Sequence, residues 1–502
     1  MKFARSSGIL LHPTSLCGPY GIGDLGTEAR RFADFLHGAG MRLWQVLPLG
    51  PTGYGDSPYQ LFSAFAGNPL LISPDLLVEQ AYLDAADLAR LPAQPEGDVD
   101  YASVIHAKFA LLDRAFEKFD AGRSAAFESF CTRQQAWLDD YALFAALKQS
   151  HGGEAIWTRW ERGYAFREPA ALARARLELG RDIERHRFRQ FLFFEQWRAL
   201  RQYCHARGIR ILGDMPIYVA HDSADVWSNP ELFRLNAAGD PEVVAGVPPD
   251  YFTADGQLWG NPIYQWELLE QQRYEWWVER LRAVLQQVDL VRLDHFRGFQ
   301  AYWEVPAGEP TARHGRWVKG PGAKLFTALE AALGELPIIA ENLGVITPEV
   351  EAIRERFGYP GMTVLQFAFG NDPQGPSFRP HNYVGHSVAY SGTHDNDTTV
   401  GWWRGTGAST RTPADIAREQ EFTRRYLRFE GDDVHWIFIQ TLLASVADTV
   451  LVPLQDVLGR GSEARMNLPG SLGGNWRWRY QAGDLTPELQ NRLRDLVMMY
   501  DR

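Results

Sequence analysis

The sequence predicts an α/β chain folded as a (β/α)8 TIM barrel, and three observations carry that expectation. Eight short apolar runs recur along the 502 residues. Most are continuously apolar, as parallel strands covered on both faces must be, and helical patterns lie between them. Eight repeats favour a closed barrel over an open sheet.

Taken in order, the strands are read at residues 8–11, 43–47, 209–212, 290–293, 338–340, 362–367, 387–390 and 449–452. Residues 27–38, 188–206, 271–287, 324–333 and 349–357 carry the 3.6-residue apolar period of helices. The spacing is uneven, and the excess length marks insertions. A mostly helical subdomain is expected at 72–187, between the second and third strands, clearest at 101–119 and 125–149. A lid or loop region rich in Gly, Pro and aromatics follows the third strand at 215–270, and a further inserted segment follows the eighth at 453–485. Residues 1–502 then form a single catalytic barrel, with no room after the eighth strand for a C-terminal β-sandwich domain.

Composition narrows the function. Apolar residues are 45% and charged residues 23%, the balance of an ordinary globular chain that buries a core without staples. Cys17, Cys131 and Cys204 are scattered and odd in number, which argues against a disulfide framework and a thiolate metal site. A net charge of −11 without a basic cluster makes nucleic acid an unsuitable partner. No apolar run approaches the roughly 20 residues of a membrane helix. The run at 8–11 is too short for a secretory signal, so a cytoplasmic address is expected. The 17 Trp residues divide between packing and, in Gly/Pro-rich segments, platforms for a flat neutral ligand such as a sugar ring.

One motif misleads. Gly21-Ile22-Gly23-Asp24-Leu25-Gly26 matches the dinucleotide fingerprint G-x-G-x-x-G. Such a site needs an acid near the end of the next strand, and that strand ends Trp44-Gln45-Val46-Leu47-Pro48. The glycines are read as turn formers.

Three acids carry the chemistry. In Val291-Arg292-Leu293-Asp294, strand alternation sends Arg292 and Asp294 to one face and Val291 and Leu293 to the other. That pair is either an ordinary salt bridge or the lining of a site. At the carboxyl end of a barrel strand, where active sites of this fold sit, the second reading gains weight. Arg292 is then expected to keep Asp294 ionised, as a nucleophile requires. Glu341 directly follows the apolar run 338–340, and apolar neighbours would raise its pKa toward that of a general acid; a helix-terminal charge is the plainer alternative. Asp395 lies in Thr393-His394-Asp395-Asn396-Asp397 after the seventh strand. A metal loop is conceivable there, but no second cluster supplies ligands, so no metal is expected. Glycoside hydrolysis needs two flanking carboxyl groups, and a third acid can support the oxocarbenium-like transition state.

At these residues the sequence resembles the amylomaltases, or 4-α-glucanotransferases (disproportionating enzymes), of the α-amylase clan. The likeness runs end to end, through Ile9-Leu10-Leu11-His12-Pro13-Thr14-Ser15, Gly53 to Tyr59, Gly213-Asp214-Met215-Pro216-Ile217-Tyr218-Val219, Leu258-Trp259-Gly260-Asn261-Pro262, Arg465 to Gly470 and Gly474-Asn475-Trp476. The resemblance implies Asp294 as nucleophile, Glu341 as general acid/base and Asp395 as transition-state stabiliser. It implies that Arg292, His394 and Asp214 bind the sugar in the cleaved subsite, with Tyr59 stacked beneath it and Ser57 nearby. His295, Phe367 and Asn467 are carried over as further substrate contacts, and Tyr251, Phe252 and Trp259 as parts of a lid over the glucan. Bland readings remain, for the lid aromatics as loop anchors and for Phe367 as a barrel-rim core residue. The implied substrates are maltooligosaccharides and longer α-glucans, with no cofactor and a monomeric enzyme. The carboxylates alone leave open an α-amylase-like hydrolase and a glucan-binding scaffold with a dead site.

Overall fold

All eight apolar runs become strands, and these close into one parallel barrel. The computed structural model describes residues 4–89, 97–249, 255–407, 411–471 and 473–502. In chain order the strands are β1 (Ser6–Leu10), β2 (Leu43–Gln45), β3 (Arg210–Met215), β4 (Val243–Val247), β5 (Gln257–Pro262), β6 (Leu290–Leu293), β7 (Ala301–Pro306), β8 (Arg316–Lys319), β9 (Ile338–Ala340), β10 (Gly361–Val364), β11 (Ser387–Tyr390) and β12 (Thr449–Pro453). Around the barrel they run β1-β2-β3-β6-β9-β10-β11-β12, with β12 pairing back to β1. The β1–β2 seam is tight: Gly8 lies opposite Leu43, and a side chain at that position would collide with Leu43.

The barrel interior is filled, as the alternation requires. Leu43, Leu212, Leu290, Ile339, Val388 and Leu451 form part of a buried cluster inside it. Their strand neighbours, Trp44, Ile211, Val291, Leu293, Ile338, Ala340, Ala389 and Val450, face outward into the larger core shared with the helices. Each fully buried aliphatic side chain stabilises the fold by about 1.5–3 kcal/mol. The sixth strand stops earlier than expected, at Val364, and residues Leu365–Ala368 form a 3-10 turn. The turn is tied sideways, with Gln366 N donating to Ser391 O and its side-chain amide to Asp397 O. The helical pattern at 271–287 is two helices, Trp266–Gln271 and Glu275–Gln287. Arg273 and buried Tyr274 break it with φ of 54° and 57°, and Tyr274 N closes the first helix on Leu269 O.

Between β2 and β3 the long helices Tyr101–Lys118, Ala125–Ser150 and Gly180–His205 pack through a cluster of phenylalanines, among them Phe119, Phe127, Phe188 and Phe191. The last of these helices is tied to the segment that leaves β2 by two buried amides: Gln190 pairs with both backbone groups of Gly67, and Gln196 with both of Ser73. The sequence reading missed a second sheet. Strands β5-β4-β7-β8 form a four-stranded antiparallel sheet from the connections after β3 and β6. Gly23 of the G-x-G-x-x-G segment lies against Pro13 and Leu16, and Gly26 against Ser73, so these glycines serve close packing; Gly21, with φ 74°, is the turn former. No described helix is long and apolar enough to cross a membrane.

Candidate active site

The site is the layer immediately above the buried cluster, one strand repeat toward the carboxyl ends. Leu212 and Leu290 point inward, so Asp214 and Arg292, two residues on, point inward as well; the same step takes Ile339 to Glu341. Register then sets the partners. Asp214 pairs with Arg292 across β3 and β6, and Leu293 pairs with Ala340 across β6 and β9, which brings Asp294 and Glu341 abreast at the next step. Backbone bonds hold both ends: Asp294 N donates to Met215 O and Glu341 N to Leu293 O.

Arg292 organises the first half. Its Nη1 lies 2.7 Å from Asp214 Oδ2 and its Nη2 lies 2.8 Å from Asp294 Oδ1. Asp214 also accepts from the Tyr59 hydroxyl at 2.8 Å, and Ser57 Oγ accepts from Tyr59 N, which sets the turn that presents the ring. Burial raises the Tyr59 phenol well above its ordinary value, so it remains a neutral donor. Asp214 and Arg292 are buried, whereas Asp294 retains 26% side-chain exposure and faces the open mouth.

Glu341 is seated differently. Its two carboxylate oxygens accept from His295 N and Leu343 N, each at 2.8 Å. His295 takes a left-handed φ of 50° to make its contact. Its ring meets Trp259 of β5 edge-on at 4.8 Å, so the small sheet supplies a wall beside Glu341. Burial pushes the Asp294 carboxyl up to about 8 against the pull of Arg292, with Asp214, Glu341 and Asp395 adding to the rise. Burial raises Glu341 too, opposed by Arg292 and by the two backbone donors. Arg292 pulls Asp294 toward its anion, the effect expected from the sequence, but burial and the neighbouring carboxylates oppose that pull. Asp294 and Glu341 therefore titrate together, and of the two Asp294 has the direct guanidinium contact.

Asp395 completes the rim. Its Oδ1 accepts from Asn467 Nδ2 at 2.6 Å and lies 3.5 Å from His394 Nε2. The Arg465 guanidinium donates to the Asp395 carbonyl, and Asn467 N donates to the His394 carbonyl. The His394 ring stacks on Tyr59 with centroids 5.2 Å apart and planes 18° from parallel, and burial lowers its pKa. Asp214, Arg292, Asp294, Tyr59, His394, Asp395 and Asn467 thus form one contact chain, with Glu341, His295 and Trp259 beside it. Phe367 packs on the interior cluster and edge-on against Phe378. Tyr251 and Phe252 lie outside the described residues.

The sequence reading missed Asp456. This fully buried acid follows β12 and accepts from Ser391 Oγ and from Thr399 N and Oγ1. It braces the loop that carries His394 and Asp395. Its signal was the one used for the others, an acid shortly after a strand, but displaced by a short helical turn, Leu454–Val457.

Inward carboxyl groups on neighbouring strand ends, a neutral aromatic rim and a filled barrel beneath define a carbohydrate-active (β/α)8 enzyme. The 4-α-glucanotransferase family model matches residues 11–486. The 4-α-glucanotransferase of Thermus thermophilus is 52% identical over the full length of both chains. That of a Synechocystis strain is 49% identical over 99% of this chain and 98% of its own. Among solved structures, the amylomaltase of Streptococcus agalactiae in complex with acarbose superposes with a TM-score of 0.94, at 38% identity and 99% coverage of each chain. The chain belongs to the 4-α-glucanotransferase family. Membership selects glucan transfer over hydrolysis and over a binding scaffold, a choice the carboxylates alone leave open.

Proposed function

We propose that the enzyme transfers α-1,4-glucan segments by double displacement with retention, using Asp294 as nucleophile and Glu341 as acid/base. Before reaction Glu341 carries the proton of the pair and Asp294 is ionised, because Arg292 contacts Asp294 directly. Glu341 gives its proton to the glycosidic oxygen as an Asp294 oxygen bonds to the anomeric carbon, and the leaving chain departs with a new 4-hydroxyl. The incoming 4-hydroxyl then yields its proton to Glu341 and displaces Asp294, restoring an α-1,4 bond. Asp395 supports the oxocarbenium-like charge. Arg292, Asp214, His394 and Tyr59 hold the sugar being cleaved, and Trp259 and His295 wall the side where the chain departs.

The observation that carries this reading is the division of Arg292 between Asp214 and Asp294 while Glu341 rests on backbone donors. It separates a carboxylate stabilised as an anion from one kept ready to exchange a proton. Maltooligosaccharides and longer α-glucans are the proposed donors and acceptors. The three free cysteines fit a reducing compartment, and a cytoplasmic location belongs to the same proposal. The test is incubation with maltotriose and resolution of the products. A ladder of longer oligosaccharides plus glucose supports transfer, and its loss in Asp294→Asn supports the nucleophile. Near-normal turnover by Asp294→Asn overturns the assignment.

A further inference from the structure

Trp476 combines a left-handed backbone with a buried ring. Its φ is 63°, in the left-handed region that side chains with a Cβ rarely adopt, although the residue is buried at 4% exposure. The same segment places Gly470 and Gly474 in the left-handed region, with φ of 81° and 82°. At 476 the chain accepts strain and keeps a large ring. Strain of this kind persists where surrounding contacts over-determine it, and it clusters at functional sites. Two backbone contacts fix this residue: Trp476 N donates to Met466 O at 2.7 Å, and Trp476 O accepts from the Tyr101 hydroxyl at 2.9 Å.

The indole meets two rings from different strand ends. Tyr59 follows β2 and His394 follows β11, with β12 and β1 between those strands around the barrel. The Trp476 ring lies 5.8 Å from Tyr59 and 5.9 Å from His394, tilted by 42° and 37°. It backs the stacked pair as a third ring, touching both members. Tyr59 reaches Asp214 through its hydroxyl, and His394 lies 3.5 Å from Asp395, so the pair spans both sides of the mouth.

We infer that Trp476 is a positioning residue: its indole, held by a left-handed backbone, fixes the Tyr59 and His394 rings at the spacing that grips the sugar being cleaved. This rests on the reading of Tyr59 and His394 as sugar contacts. The indole is buried behind these rings and acts through them. A flat ring at this position, more than apolar volume, is what the site uses.

The test compares Trp476→Phe, which keeps a flat ring, with Trp476→Leu, which keeps apolar bulk. Trp476→Gly joins them, because glycine suits the left-handed backbone and preserves the main-chain path if leucine does not fold. Transfer from maltotriose, acarbose affinity and Tm are measured for each. Leu and Gly are expected to lose on the order of 10²-fold in kcat/KM, with weaker acarbose binding, while Phe stays within about fivefold. A folded Leu or Gly variant with near wild-type kcat/KM overturns the inference, as does a Phe variant impaired as severely as Leu. Tyr59→Ala separates the two layers. If it is impaired while Trp476→Leu is normal, only the positioning role falls; if it is itself normal, the site reading falls and takes the inference with it.

Discussion

Arg292 divides its guanidinium between two carboxylates, with Nη2 2.8 Å from Asp294 Oδ1 and Nη1 2.7 Å from Asp214 Oδ2. A lysine ammonium keeps the charge but lacks the planar fork that serves two carboxylates at fixed geometry. Arg292→Lys is therefore expected to lower kcat/KM on the order of 10²–10³-fold. Asp294 loses its partner and rises further, so the acid limb of the pH–rate profile moves to higher pH. Rates across pH 4–9 check both effects; an unmoved acid limb contradicts the divided guanidinium.

The raised Asp294–Glu341 pair has a cost in stability. Burial and the like charges beside it push Asp294 up to about 8, whereas an unfolded Asp titrates at about 3.9. Between those values the pair holds a proton that the unfolded chain has released, so stability falls as pH rises through the window. Asp294→Asn removes that penalty. Its Tm is expected to exceed wild type by on the order of 1–2 °C at pH 8, with no gain near pH 3.5. Calorimetry at the two pH values decides, and a destabilised variant at pH 8 contradicts the electrostatic account.

Asn467 presents an N–H to Asp395 at 2.6 Å. Asn467→Ala removes one charge-assisted bond and is expected to reduce kcat by about tenfold. Asn467→Asp replaces the donor with a second carboxylate facing the first and is expected to lose more kcat than Asn467→Ala through like-charge repulsion. A loss no larger than that of Asn467→Ala would sink this argument.

Glu341 and Asp294 serve different steps, which makes them separable. Glu341→Gln cannot protonate the glycosidic oxygen, so transfer from maltotriose is expected to fall by about 10²–10⁴-fold. A maltosyl fluoride donor needs no such proton, and its fluoride release should be much less affected. Equal loss with both donors would place Glu341 outside acid catalysis.

The barrel and its acids were legible in the sequence because buried parallel strands leave continuous apolar runs, and Asp294 and Glu341 follow two of them directly. Alternation also told Arg292 and Asp294 from Val291 and Leu293. The joint titration of Asp294 and Glu341 was not legible. Sequence offers Arg292 two residues away, whereas Asp214 reaches the same guanidinium only through the β3–β6 register. The small sheet escaped for a similar reason. Strands such as Gln257–Pro262 and Arg316–Lys319 mix aromatic, charged and glycine residues, and the two hairpins join into one sheet only through the β4–β7 pairing between different connections. Asp456 was hidden by its short displacement from β12, and Trp476 by a backbone angle that no side-chain pattern announces.

The central claim is a covalent bond between Asp294 and the sugar. Glu341→Gln supplied with maltosyl fluoride and little acceptor should form that bond quickly and break it slowly. Intact mass followed by peptide mapping is the measurement. The account predicts one added maltosyl group on the peptide containing Asp294, absent when Asp294→Asn is combined with Glu341→Gln. An adduct on another residue, or one that survives in the double variant, would contradict it.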